Sequence, residues 1–369
     1  MGPADNLNPD DLSATQVAVI LANCILGTGI LTLPRVLAVA MDTPDGWIPI
    51  LIAGLIVIAF TSWLVKIGAQ YPGQTFFDYS PALLGVWMSR LVVTVMIVYF
   101  ICISAYEVRV LAEVVDMFLL EQTPKAVIII TMMCVSAYLI FGGLGAISRM
   151  CGLLLPPTVL VLFFCFALSM KIFDANNLRP VLGEGPVPVL QGIWPSLMMF
   201  LGFEIMYVLP GRMKHPKKAY RAVWYGIIIT VAVYSFSYLA VIGGLSTETT
   251  KTVTWPLISL IRSFEYTGIL FERFDSFLMA IWLMKIYSAF MLFHYLLVSS
   301  LKVFGVRRPY GGAFAVLPVI YMLAMLPRST FAILYLFRYV EYLFLFTVGV
   351  VPALCMVMNW IRRRSQHEA

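Results

Sequence analysis

A run of apolar residues long enough to cross a bilayer opens near Ser13 and is broken halfway, at Cys24-Ile-Leu-Gly-Thr-Gly-Ile-Leu-Thr-Leu-Pro34. Gly27 and Gly29 weaken helix in the middle of the span, and Pro34 removes a backbone donor one to two turns later. At membrane depth each freed N–H or C=O is costly, so broken backbone there must be buried in protein or line a cavity. The device returns 175 residues later, where Leu201-Gly-Phe-Glu204 interrupts a second apolar span ending in Leu209-Pro210, as the first ends in Leu33-Pro34. Two Gly/Pro-interrupted segments in corresponding halves point to an inverted-repeat transporter fold with its ligand between the repeats.

With 61% hydrophobic and 12% charged residues over 369 positions, the chain reads as a polytopic membrane protein. At roughly 20 residues per span there is room for about ten helices and no soluble domain. One domain, 1–369, is expected, with a first repeat near 13–173 and a second near 190–361. The six cysteines lie in or at the ends of apolar segments without metal-ligand spacing, and read as small buried thiols. A secretory leader opens with a basic region, whereas Asp5, Asp10 and Asp11 open this chain, so the first span is expected to be retained. The net charge of +6 does not indicate nucleic acid, because the basic residues are sorted by loop and form no single patch.

Helices are expected near 13–40, 47–67, 88–120, 124–141, 152–173, 190–209, 219–243, 272–303, 312–326 and 331–361. The Gly142-Gly-Leu-Gly145 run separates the fourth from the fifth, and the polar stretch from Asp174 to Pro188 divides the halves. Between the seventh and eighth, Trp255, Ile258, Leu260, Ile261 and Phe264 suggest a partly helical segment lying in the interface. One side of the membrane receives fourteen Lys and Arg, among them Arg212, Lys214, Lys217, Lys218 and Arg221, and the other receives seven, among them Lys125 and Lys251. The positive-inside rule then puts both termini in the cytoplasm.

Four stretches resemble a known family nearly end to end: Leu26-Gly-Thr-Gly-Ile-Leu-Thr-Leu-Pro-Arg35, Thr43-Pro-Asp-Gly-Trp47, the segment from Lys171 to Gly185, and Glu272-Arg-Phe-Asp-Ser-Phe277. The chain is similar to the B subunits of bacterial spore germinant receptors, the GerAB-type permeases of the amino acid/polyamine/organocation transporter superfamily. The resemblance implies an all-α, ten-helix LeuT-like fold with helices 1 and 6 unwound midway and helices 3 and 8 flanking them. It also implies sensing of a small nutrient, often an amino acid, in the spore inner membrane, beside an A subunit and a lipoprotein C subunit.

Within that frame Gly27, Thr28 and Gly29 offer unpaired amides and carbonyls to a ligand, as half-helix ends do. Tyr99 and Ile103 are one turn apart on one face of the third helix at midplane depth, where Tyr99 can donate to a ligand and Ile103 can limit its size. Leu201, Gly202 and Phe203 form the second break. Glu204 follows them, with three tasks open to it: holding an amine, pairing with a cation such as Arg109, or taking a proton. Lys285, Ala289 and Phe293 share one stripe of the eighth helix. Ala289 and Phe293 suit an apolar ligand wall, whereas Lys285 either fills a coupling-ion position or is a paired or snorkelling lysine. Glu107, Arg109, Glu113 and Asp116, with Glu272, Arg273 and Asp275, read as charged clusters towards the outer helix ends, and Arg109 and Glu113 can pair at i, i+4.

No phosphate loop, nucleophile arrangement or metal-ligand spacing is present, so neither an enzyme nor a cofactor is expected. Two readings remain at this level: a transporter-derived nutrient sensor, and a proton- or sodium-coupled amino acid symporter.

Overall fold

The structure is a computed structural model and describes residues 12–120, 122–263, 274–306, 309–327 and 330–367. Glu272, Arg273 and the side chain of Asp275 from the expected eighth-helix cluster, and 264–271 of the expected interfacial loop, lie outside what is described.

Among the described residues every named element is a helix. The first half comprises α1 (Ala14–Ile25), α2 (Gly29–Met41), α3 (Trp47–Gly68), α4 (Phe76–Leu84), α5 (Val86–Phe118), α6 (Lys125–Phe141) and α7 (Gly143–Ser169). The second comprises α8 (Val187–Met199), α9 (Ala219–Thr252), α10 (Pro256–Arg262), α11 (Phe274–Ser300), α12 (Pro309–Ala315), α13 (Leu317–Met325), α14 (Thr330–Leu345) and α15 (Val351–His367). Among the described residues six helices are long and apolar enough to cross a membrane, or seven when α1 and α2 count as one span bent by 53°. Lys125–Phe141 and Gly311–Met325 are shorter apolar helices, so length and composition alone do not yield ten spans.

Apolar residues lie on both sides of these helices. Leu153 is 74% and Met322 67% exposed, while Ile286, Phe290 and Leu296 are fully buried. A surface that stays apolar after the core is filled is what a lipid solvent requires. The core is organised about α5, which packs along α11, α13 and α14, and about α9, which packs on α1, α2 and α3.

Local chemistry sets the ends. Ser13 caps α1 by a reciprocal box with Gln16: Ser13 N–H donates to Gln16 Oε1 at 2.9 Å and Gln16 N–H to Ser13 Oγ at 3.3 Å. Thr75 and Asp78 begin α4 in the same way, with Thr75 N–H and Oγ1–H donating to Asp78 Oδ2 at 3.0 and 2.6 Å. The sequence pattern did not mark α4, a nine-residue helix with Pro81 inside it.

Three expectations change. The four-residue Gly142–Gly145 break shrinks to one joint, because Gly143 at φ +72° makes the turn and α7 then runs on through Arg149. The span expected over 190–209 is interrupted where the break at Leu201–Glu204 was expected, the α-helix ending at Met199, but its second half is 3₁₀ turns over Phe203–Tyr207 and Leu209–Arg212 in place of α-helix. The segment expected to float in the interface is α10, whose Leu257, Ile258, Leu260 and Ile261 are buried against α2, α7 and α9. Apolar on several sides, it fits a protein surface better than a one-sided lipid boundary.

Candidate functional site

The two breaks meet. Gly202 adopts φ +119° and lies flat on α1, where a Cβ would fall 2.6 Å from the carbonyl carbon of Cys24 and 2.9 Å from the nitrogen of Ile25. One hydroxyl ties the two interrupted helices: Tyr234 of α9 shares its proton between the Ile25 and Met199 carbonyls, each at 2.8 Å, the last residues of α1 and α8. Carbonyls freed by unwinding are thus satisfied inside the protein.

Beside this junction is a small pocket of about 20 Å³, open on one side. Ile25, Thr28, Gly29 and Thr32 supply one wall, and Met198, Met199 and Leu201 a second. The third comes from α5, through Ile103, Tyr106 and Glu107. Glu107 is 5% exposed. Its Oε1 accepts from Thr28 Oγ1 at 3.0 Å, whereas Oε2 is buried and accepts no hydrogen bond from the described residues. A carboxylate oxygen left without a donor at this depth is costly unless something else supplies one.

Of the residues expected from sequence, Thr28, Gly29, Ile103 and Leu201 line the pocket. Gly27 stands behind it, against Ala289 and Glu107. Ala289 and Phe293, expected as an apolar ligand wall, are not among the residues lining this pocket: Ala289 packs on Gly27, and Phe293 meets Tyr99 edge-on with ring centroids 6.5 Å apart. Phe203 meets Phe344 edge-on at 5.8 Å.

The polar assignments shift further. Tyr99 donates its hydroxyl to Glu204 Oε1, and the Gly202 N–H donates to Glu204 Oε2, so Glu204 is spent on holding the second break. It does not pair with Arg109. Arg109 pairs along its own helix, through Nη2 to Glu113 Oε1 at 2.8 Å, and reaches across to α13, through Nη1 to the Ala324 carbonyl at 3.2 Å. Lys125 reaches the other oxygen of Glu113 at 2.6 Å and Asp116 at 3.2 Å. Arg109, Glu113 and Asp116 thus form the expected cluster, from which Glu107 departs by facing the first break. Lys285 is fully buried and donates to Asn23 Oδ1.

Sequence reasoning missed Ile25, Thr32, Tyr106, Glu107, Met198 and Met199 as lining residues. Spacing could have found two of them. Glu107 continues the stripe of Tyr99 and Ile103 by another four residues, and Thr32 is four after Thr28.

Interrupted helices that meet around a pocket at mid-span, flanked by two long helices, define a multi-pass membrane protein of the LeuT-like transporter fold. Solved structures of that fold match across the chain. They include the nucleobase-cation-symport-1 family transporter Mhp1 with bromovinylhydantoin bound (TM-score 0.73, 14% identity, 97% of this chain and 82% of that one). MhsT in complex with L-phenylalanine matches with TM-score 0.70 and 11% identity over 94% of this chain and 88% of that one. A substrate-bound Na⁺-coupled sialic acid symporter matches at 0.68 and 13%, over 94% and 78%. The chain belongs to the spore permease family of spore germination proteins, whose pattern it matches over residues 11–333. It is similar to spore germination protein YndE of Bacillus subtilis (strain 168), with 39% identity covering 96% of this chain and 98% of that protein. Spore germination protein A2 of the same organism is 36% identical, covering 96% and 97%.

Proposed function

We propose that this chain is the nutrient-binding B subunit of a spore germinant receptor, taking a small amine-bearing nutrient such as an amino acid into the pocket between the breaks. The observation that carries the reading is Glu107 Oε2, a buried acceptor without a donor among the described residues, beside the unwound segment. An ammonium group supplies that donor. The start of α2 at Gly29 presents amide groups and a positive helix end to the nutrient's carboxylate, and Ile25, Ile103, Met198 and Met199 accept an apolar side chain. In this reading the chain sits in the spore inner membrane with both termini on the core side, in contact with membrane lipid, an A subunit and a lipoprotein C subunit. A ligand that prefers one of two shapes shifts their balance by its differential affinity, and such a shift is what a sensor must pass on.

The symporter reading draws support from the descriptions of Mhp1 and the sialic acid transporter as cation-coupled. Against it stands the commitment of two of the three charged residues beside the breaks, Glu204 to Tyr99 and Gly202 and Lys285 to Asn23, the third being Glu107, which is assigned here to the nutrient.

The test is the amino acid response of spores carrying Glu107→Gln, with abundance checked by immunoblot. We expect the variant to reach the membrane and to lose the response to every amino acid that triggers the parent. An unchanged dose response at normal abundance would overturn the pocket assignment.

A further inference from the structure

Met199 ends α8 at the second break, and its backbone is held there: its carbonyl accepts from the Tyr234 hydroxyl at 2.8 Å. Its side chain is held less firmly. The thioether sulfur lies 3.6 Å from Thr32 Oγ1 of α2, and the same hydroxyl is 3.4 Å from the Thr28 carbonyl, so one proton serves two distant acceptors. Met199 and Thr32 both line the pocket, with Met198 as its other thioether. Ile25, Ile103 and Leu201 of the same walls are branched, whereas the two methionines are unbranched and adaptable. A pocket of about 20 Å³ has room for about one water-sized molecule. A larger guest enters only when a side chain swings aside, and Met199, tied to α2 by one weak contact, is free to do so. The same space admits hydrogen peroxide, which oxidises thioethers. In that step the sulfur lone pair attacks one peroxide oxygen, and an S–O bond forms as the O–O bond breaks. The departing hydroxide takes the proton from the transferred oxygen and leaves as water. Sulfur loses two electrons and the peroxide gains them.

We propose that Met199 is an oxidation switch of the pocket: hydrogen peroxide entering through the open side converts its thioether to the sulfoxide, which closes the pocket to ligand. A thioether is a weak acceptor and a sulfoxide oxygen a polar, stronger one, so the Thr32 proton passes wholly to the new oxygen. A hydrogen bond then ties α2 to α8 where a loose contact stood, and the side chain no longer swings aside. The added oxygen also takes up space that holds little more than a water. Because Tyr234 fixes the Met199 carbonyl, the backbone does not back away to make room. The switch rests on the geometry of the pocket, and only the second readout below rests on the nutrient reading.

The test treats the purified full chain in lipid nanodiscs with hydrogen peroxide, stops the reaction with catalase at intervals and locates sulfoxide by peptide mass spectrometry. Met96 and Met291, fully buried and outside the pocket lining, are the internal references. We expect sulfoxide to form at Met199 about tenfold faster or more than at either reference. The second readout is binding of the radiolabelled amino acid that best triggers the parent spores, compared before and after peroxide within each protein. It should fall about fivefold or more in the wild type and less than about twofold in Met199→Leu, whatever that variant's own affinity. Oxidation of Met199 no faster than the references would overturn the proposal, and so would an equal fractional loss in both proteins. If Met199→Leu does not bind, wild-type binding must fall in step with Met199 sulfoxide over the time course, and a loss that outpaces it overturns the switch. If the untreated wild type binds no amino acid, the nutrient reading fails, and the rate comparison still decides this one.

Discussion

Gly27 of the first break faces Ala289 of α11 so closely that a Cβ on Gly27 would lie 2.6 Å from the Ala289 methyl carbon. One of the two positions can carry a methyl group, and the other must not. Gly27→Ala should destabilise the protein by about 1–3 kcal/mol, the usual cost of overpacking a core. Adding Ala289→Gly removes the clash, so the double variant should melt above Gly27→Ala alone, with a coupling of about 1 kcal/mol or more. Equal melting of the single and double variants would place the effect elsewhere.

Gly202 is the stricter glycine. Its φ of +119° is a conformation L side chains rarely adopt, and a Cβ there would meet the backbone of Cys24 and Ile25, which has no rotamer to yield. Sequence spacing alone makes Gly27 and Gly202 equivalent, but their surroundings separate them. Gly202→Ala adds about 1–3 kcal/mol of backbone strain to the clash. We expect it to be depleted from the membrane fraction more strongly than Gly27→Ala, as measured by quantitative immunoblot.

Tyr234 holds both interrupted helices through one hydroxyl, shared between the Ile25 and Met199 carbonyls. Tyr234→Phe keeps the ring against Phe200, where the centroids are 5.4 Å apart, and leaves both carbonyls buried without that donor. The expected loss is about 1–3 kcal/mol. It is read as a lowered melting temperature of the purified protein.

The Arg109–Glu113–Lys125 cluster sets up a contrast within one network. Glu113→Gln leaves the Arg109 guanidinium, with a side chain 6% exposed, facing a neutral amide, and should cost about 3–5 kcal/mol. Lys125→Met removes a partner whose side chain is 29% exposed, and should cost about 0–1 kcal/mol. Comparable melting of the two variants would mean that burial does not set the strength of this network.

The breaks were legible because Gly and Pro act locally: Gly27, Gly29, Pro34 and Gly202 announce lost helix whatever surrounds them. The pocket was legible in part. Thr28, Gly29, Ile103 and Leu201 sit at or beside the breaks, and position in the span was enough to choose them. Partner choice was not legible, because it depends on how helices rotate against one another. Glu204 and Arg109 are both charged residues on site-forming segments, yet Arg109 turns along α5 to Glu113 while Glu204 folds back on Gly202. Glu107 was grouped with Arg109 by proximity in sequence, although two residues along a helix turn a side chain to nearly the opposite face. The α10 segment was misplaced for a related reason: composition marks it as apolar but does not say whether lipid or α2 covers it.

Paired measurements of equilibrium binding and uptake by the reconstituted chain test most directly whether the pocket serves sensing or transport. Liposomes carrying wild type or Glu107→Gln are incubated with the radiolabelled amino acid that best triggers the parent spores, with and without imposed proton and sodium gradients. We expect saturable binding to the wild type, loss of that binding in Glu107→Gln at equal incorporation, and no accumulation inside the vesicles under any gradient. Gradient-driven accumulation by the wild type, abolished in Glu107→Gln, would contradict the sensor and establish a coupled transporter using the same pocket.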